Sequence, residues 1–231
     1  MQKQQNIESV LDKACIELEK ENDVSDVPVS QEWMSRLFNL AQDIKDEDMQ
    51  KLWRKMLAGE VKKPGTYSYR TMIALNTFTH KEVKLINKAF KYVINLHNRN
   101  ILVDNNLDVR INGLDIFEKE TLKNIGILST EGLTRTYKLP EENKQIVAIN
   151  TNFVCILEET IETEQIKVTF NNLTDVGNEL YSLVDNNSDE LLRLFAKSIK
   201  NKNGKLAVSL HKIHSIKGDI LRYEDEDIIL K

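Results

Sequence analysis

Asp46-Glu47-Asp48-Met49-Gln50-Lys51-Leu52-Trp53-Arg54-Lys55-Met56-Leu57-Ala58-Gly59-Glu60 places Met49, Leu52, Trp53, Met56 and Leu57 at three- and four-residue steps. That spacing puts them on one apolar stripe of a helix. Asp46, Glu47 and Asp48 bring negative charge to the first turn, where it opposes the positive end of the helix dipole. Gly59 is expected to end the helix in the left-handed conformation, and Pro64-Gly65 to prevent a quick restart, with the loop running to about Tyr67.

On the N-terminal side, Ile7, Val10, Leu11, Ala14 and Leu18 predict an amphipathic helix ending near Asn22. An acidic link, Asp23 to Pro28, follows. Ser30 is a natural N-cap for a second helix that carries Trp33, Leu37, Leu40, Ala41 and Ile44 on one face. On the C-terminal side, Ser68 caps a short helix holding Met72, Ile73 and Leu75, and Thr79-His80-Lys81-Glu82 has the spacing of a capping box. The next helix buries Val83, Ile86, Phe90 and Val93 and fades into the polar stretch Asn95 to Asn100, where a domain boundary is expected. Beyond it lie a helix from about Leu114 to Ile125 ended by Gly126, and strands at Ile146–Ile149, Phe153–Leu157 and Ile166–Phe170. A helix from Thr174 through Leu180, Leu183 and Val184 comes next, then one from Ser188 or Asp189 holding Leu191, Leu192, Phe195 and Ile199. The turn pair Asn203-Gly204 leads to strands at Leu206–Leu210 and Ile220–Tyr223.

The 231 residues suffice for two small domains, and 41% apolar with 29% charged content is ordinary for a globular chain. Thirty-two basic against 36 acidic residues give a net charge of -4, which supplies no global attraction to phosphate. Cys15 and Cys155 have neither zinc nor disulfide-framework spacing, and a reducing cytoplasmic setting is expected. No signal-peptide core and no run of 18 apolar residues is present, so neither secretion nor membrane spanning is expected.

The run Asp46 to Trp53, continued by Leu57-Ala58-Gly59-Glu60-Val61, Pro64-Gly65, Ser68 and Arg70-Thr71, resembles the signature of a bacterial domain-of-unknown-function family. That family is distantly similar to the Abi-alpha group of abortive-infection proteins. Leu173-Thr174-Asp175-Val176-Gly177-Asn178-Glu179-Leu180 resembles a second segment near the end of such proteins. Tyr69, Met72 and the residues after Ser188 depart from the pattern. The resemblance implies a cytoplasmic bacterial protein in the context of phage defence, and it brings no established active site.

Read physically, Trp33 and Trp53 are expected core fillers, Gly59 a helix stop and Pro64-Gly65 a rigid turn. Glu60, Ser68 and Arg70 are free to face solvent, or Arg70 pairs with Glu60 across the loop. In an anion-binding version, Lys62, Lys63 and Arg70 receive a phosphate together with backbone N–H groups near Ser68, although no P-loop spacing is present. For nucleic acid, the Leu114–Ile125 helix has nearly balanced charge, and Lys51, Arg54, Lys55, Lys62 and Lys63 form a better basic cluster. His80 and His97 read as surface residues. His211 and His214 fall on opposite faces of a strand, which disfavours shared metal ligation. Glu158, Glu159, Glu162 and Glu164 read as a strand end and loop, and Cys155 as a small core residue.

These readings give an α+β chain, predominantly helical: an N-terminal amphipathic helix (1–22), a helical module with the motif (30–97) and a small α+β, winged-helix-like domain (101–231). No catalytic, cofactor or metal constellation is found. The expected function is a non-enzymatic protein-interaction or regulatory module with a protein partner or as a homo-oligomer, its apolar helix offering Val10, Leu11 and Leu18 for contact. The alternatives are a nucleic-acid-binding winged-helix regulator and, more weakly, a nucleotide-sensing or effector enzyme with an unrecognised site.

Overall fold

The computed structural model describes residues 2–19, 24–103, 113–138, 145–159, 165–184, 189–202, 206–217, 220–225 and 227–228. The chain is α+β and divides into two compact units, one of residues 1–83 with 175–185, the other of residues 84–174 with 186–231. The division falls inside a helix rather than at the polar stretch 95–100. That stretch is a hairpin turn: His97 and Asn98 both take positive φ (50° and 60°) between two paired strands. Two consecutive left-handed residues are what a two-residue hairpin turn requires, and a polar run there reads deceptively as a linker.

Unit 1 is helical. Helices α1 (Gln2–Leu18), α2 (Gln31–Ala41), α3 (Glu47–Lys62) and α4 (Tyr69–Thr77) are joined late in the chain by α7 (Asp175–Tyr181). α1 ends at Leu18, short of Asn22, which lies outside the described residues. It packs on α3 and buries Val10 and Ala14 in its own unit, while Leu11 and Leu18 are half-buried. Val10 is therefore core, not a free contact residue. Asn6 Nδ2 donates to the Gln42 carbonyl at 2.7 Å, which ties α1 to the end of α2, and Gln50 Nε2 donates to the Ile44 carbonyl at 2.9 Å, which ties α3 to the loop before it.

Ser30 occupies the N-cap position of α2 without making a side-chain capping bond, whereas Asp46 caps α3 by accepting from Met49 N at 2.9 Å. Ile44 lies beyond the end of α2. Ser68 caps α4 by accepting from Thr71 N at 3.3 Å. Met72 and Leu75 are buried as expected, but Ile73 is exposed. Of the two tryptophans, Trp53 is completely buried and Trp33 only half-buried.

Helix α5 (His80–Phe90) carries the chain from unit 1 into unit 2. Its capping box is formed: Glu82 N donates to Thr79 Oγ1 at 3.3 Å and Thr79 N to Glu82 Oε2 at 2.7 Å. Those bonds, backbone first and side chain second, hold the Glu82 carboxyl below its ordinary 4.5.

Unit 2 is built on an eight-stranded sheet whose strand pairings, among the described residues, are all antiparallel. The strands are β1 (Val93–Leu96), β2 (Arg99–Val103), β3 (Leu128–Lys138), β4 (Gln145–Ile149), β5 (Phe153–Glu159), β6 (Gln165–Leu173), β7 (Leu206–Lys217) and β8 (Ile220–Tyr223), ordered β3-β6-β2-β1-β4-β5-β7-β8. The sheet holds three strands that the sequence reading does not contain: β1 and β2, which flank the polar turn, and the mostly polar β3. Val93 lies in β1, not in a helix. β3, Leu128-Ser129-Thr130-Glu131-Gly132-Leu133-Thr134-Arg135-Thr136-Tyr137-Lys138, is mostly polar and is held as a strand by its pairing with β6.

Helix α6 (Ile116–Asn124) opens on a capping box between Asp115 and Glu118. It closes at Gly126 (φ 77°), with Gly126 N on the Lys123 carbonyl and Ile127 N on the Leu122 carbonyl, a Schellman motif. Helix α8 (Asp189–Lys202) lays Leu191, Leu192, Phe195, Ala196 and Ile199 into the core formed by one face of the sheet. Cys155 is part of that core; burial, with Asp227 nearby, pushes its thiol far up, which suits packing and not nucleophilic attack. No helix among the described residues is long and apolar enough to cross a membrane.

Phe195→Ala is expected to lower unfolding stability by about 3–5 kcal/mol, the range for removing a buried aromatic ring. Phe117→Ala, at a residue 74% exposed, is expected to change it by no more than about 0.5 kcal/mol in the same urea titration.

Candidate functional site

Glu60 sits on the last turn of α3, one residue after Gly59, and is 3% exposed. A buried carboxylate requires hydrogen-bond donors. The following loop supplies them: Gly65 N donates to Oε1 at 2.6 Å and Tyr67 N to Oε2 at 2.9 Å. One side chain thereby fixes the turn Lys63-Pro64-Gly65-Thr66, whose Gly65 takes φ 87°, a value strained for any residue with a Cβ. Of the two alternatives for Arg70, solvent exposure or a pair with Glu60, the structure shows the first: its side chain is exposed and both Glu60 oxygens serve the loop backbone.

Gly59 does not end the helix, which runs on to Lys62. Its missing side chain serves a different purpose: a Cβ there would stand 2.7 Å from Cε2 and 2.9 Å from the hydroxyl of Tyr67. The Tyr67 ring lies on the bare backbone of α3. Trp33 Nε1 donates to the Tyr67 carbonyl at 2.7 Å, so α2 grips the same residue from another side.

The far segment completes the arrangement. From α7 and the residue after it, Glu179 Oε2 accepts from Ser68 N at 2.6 Å and Ser182 Oγ lies 3.1 Å from the Tyr67 hydroxyl. Ser182 Oγ also donates to the Glu179 carbonyl at 2.7 Å. The backbone N–H that the anion-binding reading assigned to a phosphate is thus given to the chain's own carboxylate. Lys62, Lys63 and Arg70 are exposed. The Tyr67 phenol is held above its ordinary 10.0, first by burial and then by the negative charge of Glu179 and Glu60, against the lowering effect of Ser182. It stays protonated at neutral pH and acts as a hydrogen-bonding group.

Outside this clamp is an open cleft of about 530 Å³, lined by Pro28, Ser30, Glu32, Trp33, Arg36, Glu60, Pro64, Gly65, Tyr67 and Tyr69. Arg36 stands 4.2 Å above the Tyr69 ring and pairs with Glu32 one turn earlier. The clamp residues form its floor, and Trp33, Arg36 and Tyr69 its wall. Motif residues read as one stretch therefore do two jobs, inward support and outward display.

This chain belongs to the family described as Protein of unknown function (DUF2806). The family matches residues 1–193. That span includes the whole clamp and cleft and stops inside α8. No curated protein and no solved structure matches the chain.

The other sequence candidates do not converge on this site. In the basic cluster, Arg54 pairs with Glu17 at 3.0 Å, and Lys51, Lys55 and Lys62 each have a partner of their own. His80 lies 3.7 Å from Asp46 at the surface, His97 is in the hairpin turn, and His211 is buried while His214 on the same strand is exposed. Glu158 accepts a bond from Gln145, and Glu162 and Glu164 lie outside the described residues. Ser182 and Arg36 carry no signal in the sequence, Tyr67 reads there only as the end of a loop, and Tyr69 only as a departure from the motif. Glu179 stood in the second motif, but nothing local indicates that it meets Ser68, 111 residues away.

Two outcomes test the clamp. Glu60→Gln puts an amide nitrogen where an N–H now finds an oxygen, and is expected to cost about 1–3 kcal/mol in a denaturant titration. Gly59→Ala is expected to cost about 1–3 kcal/mol by overpacking, with the loss largely absent when Tyr67→Leu is already present, a coupling read by a double-mutant cycle. A raised folded-state phenol pKa means stability is fully present below pH 10 and is lost as pH climbs through the folded value. Tyr67→Phe should therefore reduce the alkaline loss of stability without abolishing it, since burial raises Tyr137 and Tyr181 as well.

Proposed function

We propose that unit 1 of this protein is a non-enzymatic interaction or regulatory module of bacterial phage defence, working in the cytoplasm and engaging a protein partner or a further copy of itself through its cleft. The phage-defence context rests on the likeness of residues 46–71 to the Abi-alpha group. The choice of surface rests on one observation, the gathering of Trp33, Arg36 and Tyr69 around a single opening between Pro28 and Pro64. Tryptophan, tyrosine and arginine are the residue types on which binding energy at protein interfaces concentrates. Here they are held in place before any partner arrives: Trp33 by its bond to Tyr67, Arg36 by Glu32 and the Tyr69 ring. A surface already ordered loses less entropy on binding.

A winged-helix regulator bound to nucleic acid is the competing reading. The pairing of Arg54 with Glu17 leaves its basic cluster with less charge for phosphate than the sequence count implies.

Affinity purification from the bacterial host, with mass and nucleic-acid absorbance measured on the intact complex, separates the two. A discrete protein complex or homo-oligomer is expected, weakened at least about 30-fold by Tyr69→Ala or Arg36→Glu with the circular dichroism spectrum unchanged. Nucleic acid released by salt, or a complex indifferent to both substitutions, would overturn the proposal.

A further inference from the structure

Ser209 and His211 stand two residues apart on β7, so both side chains project from one face of the sheet of unit 2. His211 is 8% exposed and uses both ring nitrogens. Nδ1 lies 2.9 Å from the backbone carbonyl oxygen of Glu224, which only accepts, so in the neutral ring Nδ1 carries the hydrogen. Nε2 is then the bare, accepting nitrogen. It lies 2.9 Å from Ser209 Oγ, and the serine hydroxyl is the donor.

That is the polarity an activated serine requires: a hydroxyl aimed at the lone pair of an imidazole whose other nitrogen is fixed by a third group. The third group is itself held, because Glu224 N donates to the Lys212 carbonyl at 2.9 Å. The Tyr223 ring, 5.0 Å from the imidazole, limits its tilt. Ile156 and Val154 are the register partners of Ser209 and His211 on β5, so the pair has apolar neighbours, and Ser209 remains half-exposed.

We propose that Ser209 and His211 form a nucleophile–base dyad able to accept an acyl group from small activated esters, with the Glu224 carbonyl taking the orienting place of a carboxylate. The dyad lies beyond the residues matched by the family and is independent of the cleft. As Ser209 Oγ bonds to the ester carbonyl carbon, its proton passes to His211 Nε2; the carbon–oxygen bond to the alcohol breaks, and the alcohol leaves with that proton. Water then attacks the acyl carbon, giving a proton to Nε2 that returns to Ser209 Oγ as the acyl–serine bond breaks.

The test treats the full chain with a fluorophosphonate probe and locates the adduct by peptide mass spectrometry, alongside p-nitrophenyl acetate hydrolysis. A single adduct on Ser209 is expected, absent in Ser209→Ala and formed about 100-fold more slowly in His211→Asn. Ser209→Ala removes one exposed-side hydroxyl and keeps the fold, so it controls for any folding defect of the histidine variant. No adduct on Ser209 in folded protein, or ester hydrolysis equal in wild type and Ser209→Ala, would overturn the proposal and leave the pair a structural bond of the sheet.

Discussion

A carboxylate buried at the end of α3 cannot remain there without donors, and that requirement organises unit 1. Glu60 draws the Gly65 and Tyr67 amides onto itself, which bends the chain back over α3 and delivers the Tyr67 ring to the only place on that helix face where no Cβ intervenes, Gly59. Trp33 then bonds the Tyr67 carbonyl, and Ser182 and Glu179 bond the Tyr67 hydroxyl and the Ser68 amide. The bonds accepted by the Glu60 and Glu179 carboxylates are charge-assisted and stronger than the neutral ones made by Trp33 and Ser182. The cleft wall joins the clamp through Trp33, which lines the cleft and bonds the Tyr67 carbonyl.

Within unit 1, α7 shows how a late segment becomes part of an early one. Residues 84–174 belong to the sheet unit, and the chain afterwards returns to place Glu179 at the N-terminus of α4. The carboxylate meets the partial positive charge of that helix end, the place where an outside anion would otherwise bind. A site that reads as a receptor for phosphate is instead a joint between two segments of the chain. Unit 2 follows a different logic. Its core is one continuous apolar layer between the sheet and α8, and its polar interest lies at the β7–β8 end, outside the family-matched residues.

The elements whose signals are local were legible: the Asp46, Ser68 and Thr79 caps, the stop at Gly126, the apolar stripes of α1, α3 and α8, and the apolar strands β4, β5 and β6. Each depends on residues within one or two turns of each other. β3 was not legible, because a polar strand owes its conformation to a neighbour across the sheet and carries no alternating pattern of its own, and the apolar β1 and β2 were hidden by the polar turn between them. His97-Asn98 lacked the glycine that usually marks a two-residue hairpin turn.

By itself the sequence determined the helical segments of unit 1, the buried place of Trp53 and the grouping of motif residues between Gly59 and Arg70, since backbone propensity, capping and apolar periodicity act over short distances. The tertiary structure decided what those residues do. It made Gly59 a seat for a tyrosine, not a helix stop, gave Glu60 to the loop backbone and not to Arg70, and put Glu179 on the backbone N–H that the anion-binding alternative offered to a phosphate. These outcomes depend on which distant groups arrive at a buried polar atom first in space, and the partner of a buried donor or acceptor is fixed by chain topology, which no local spacing records.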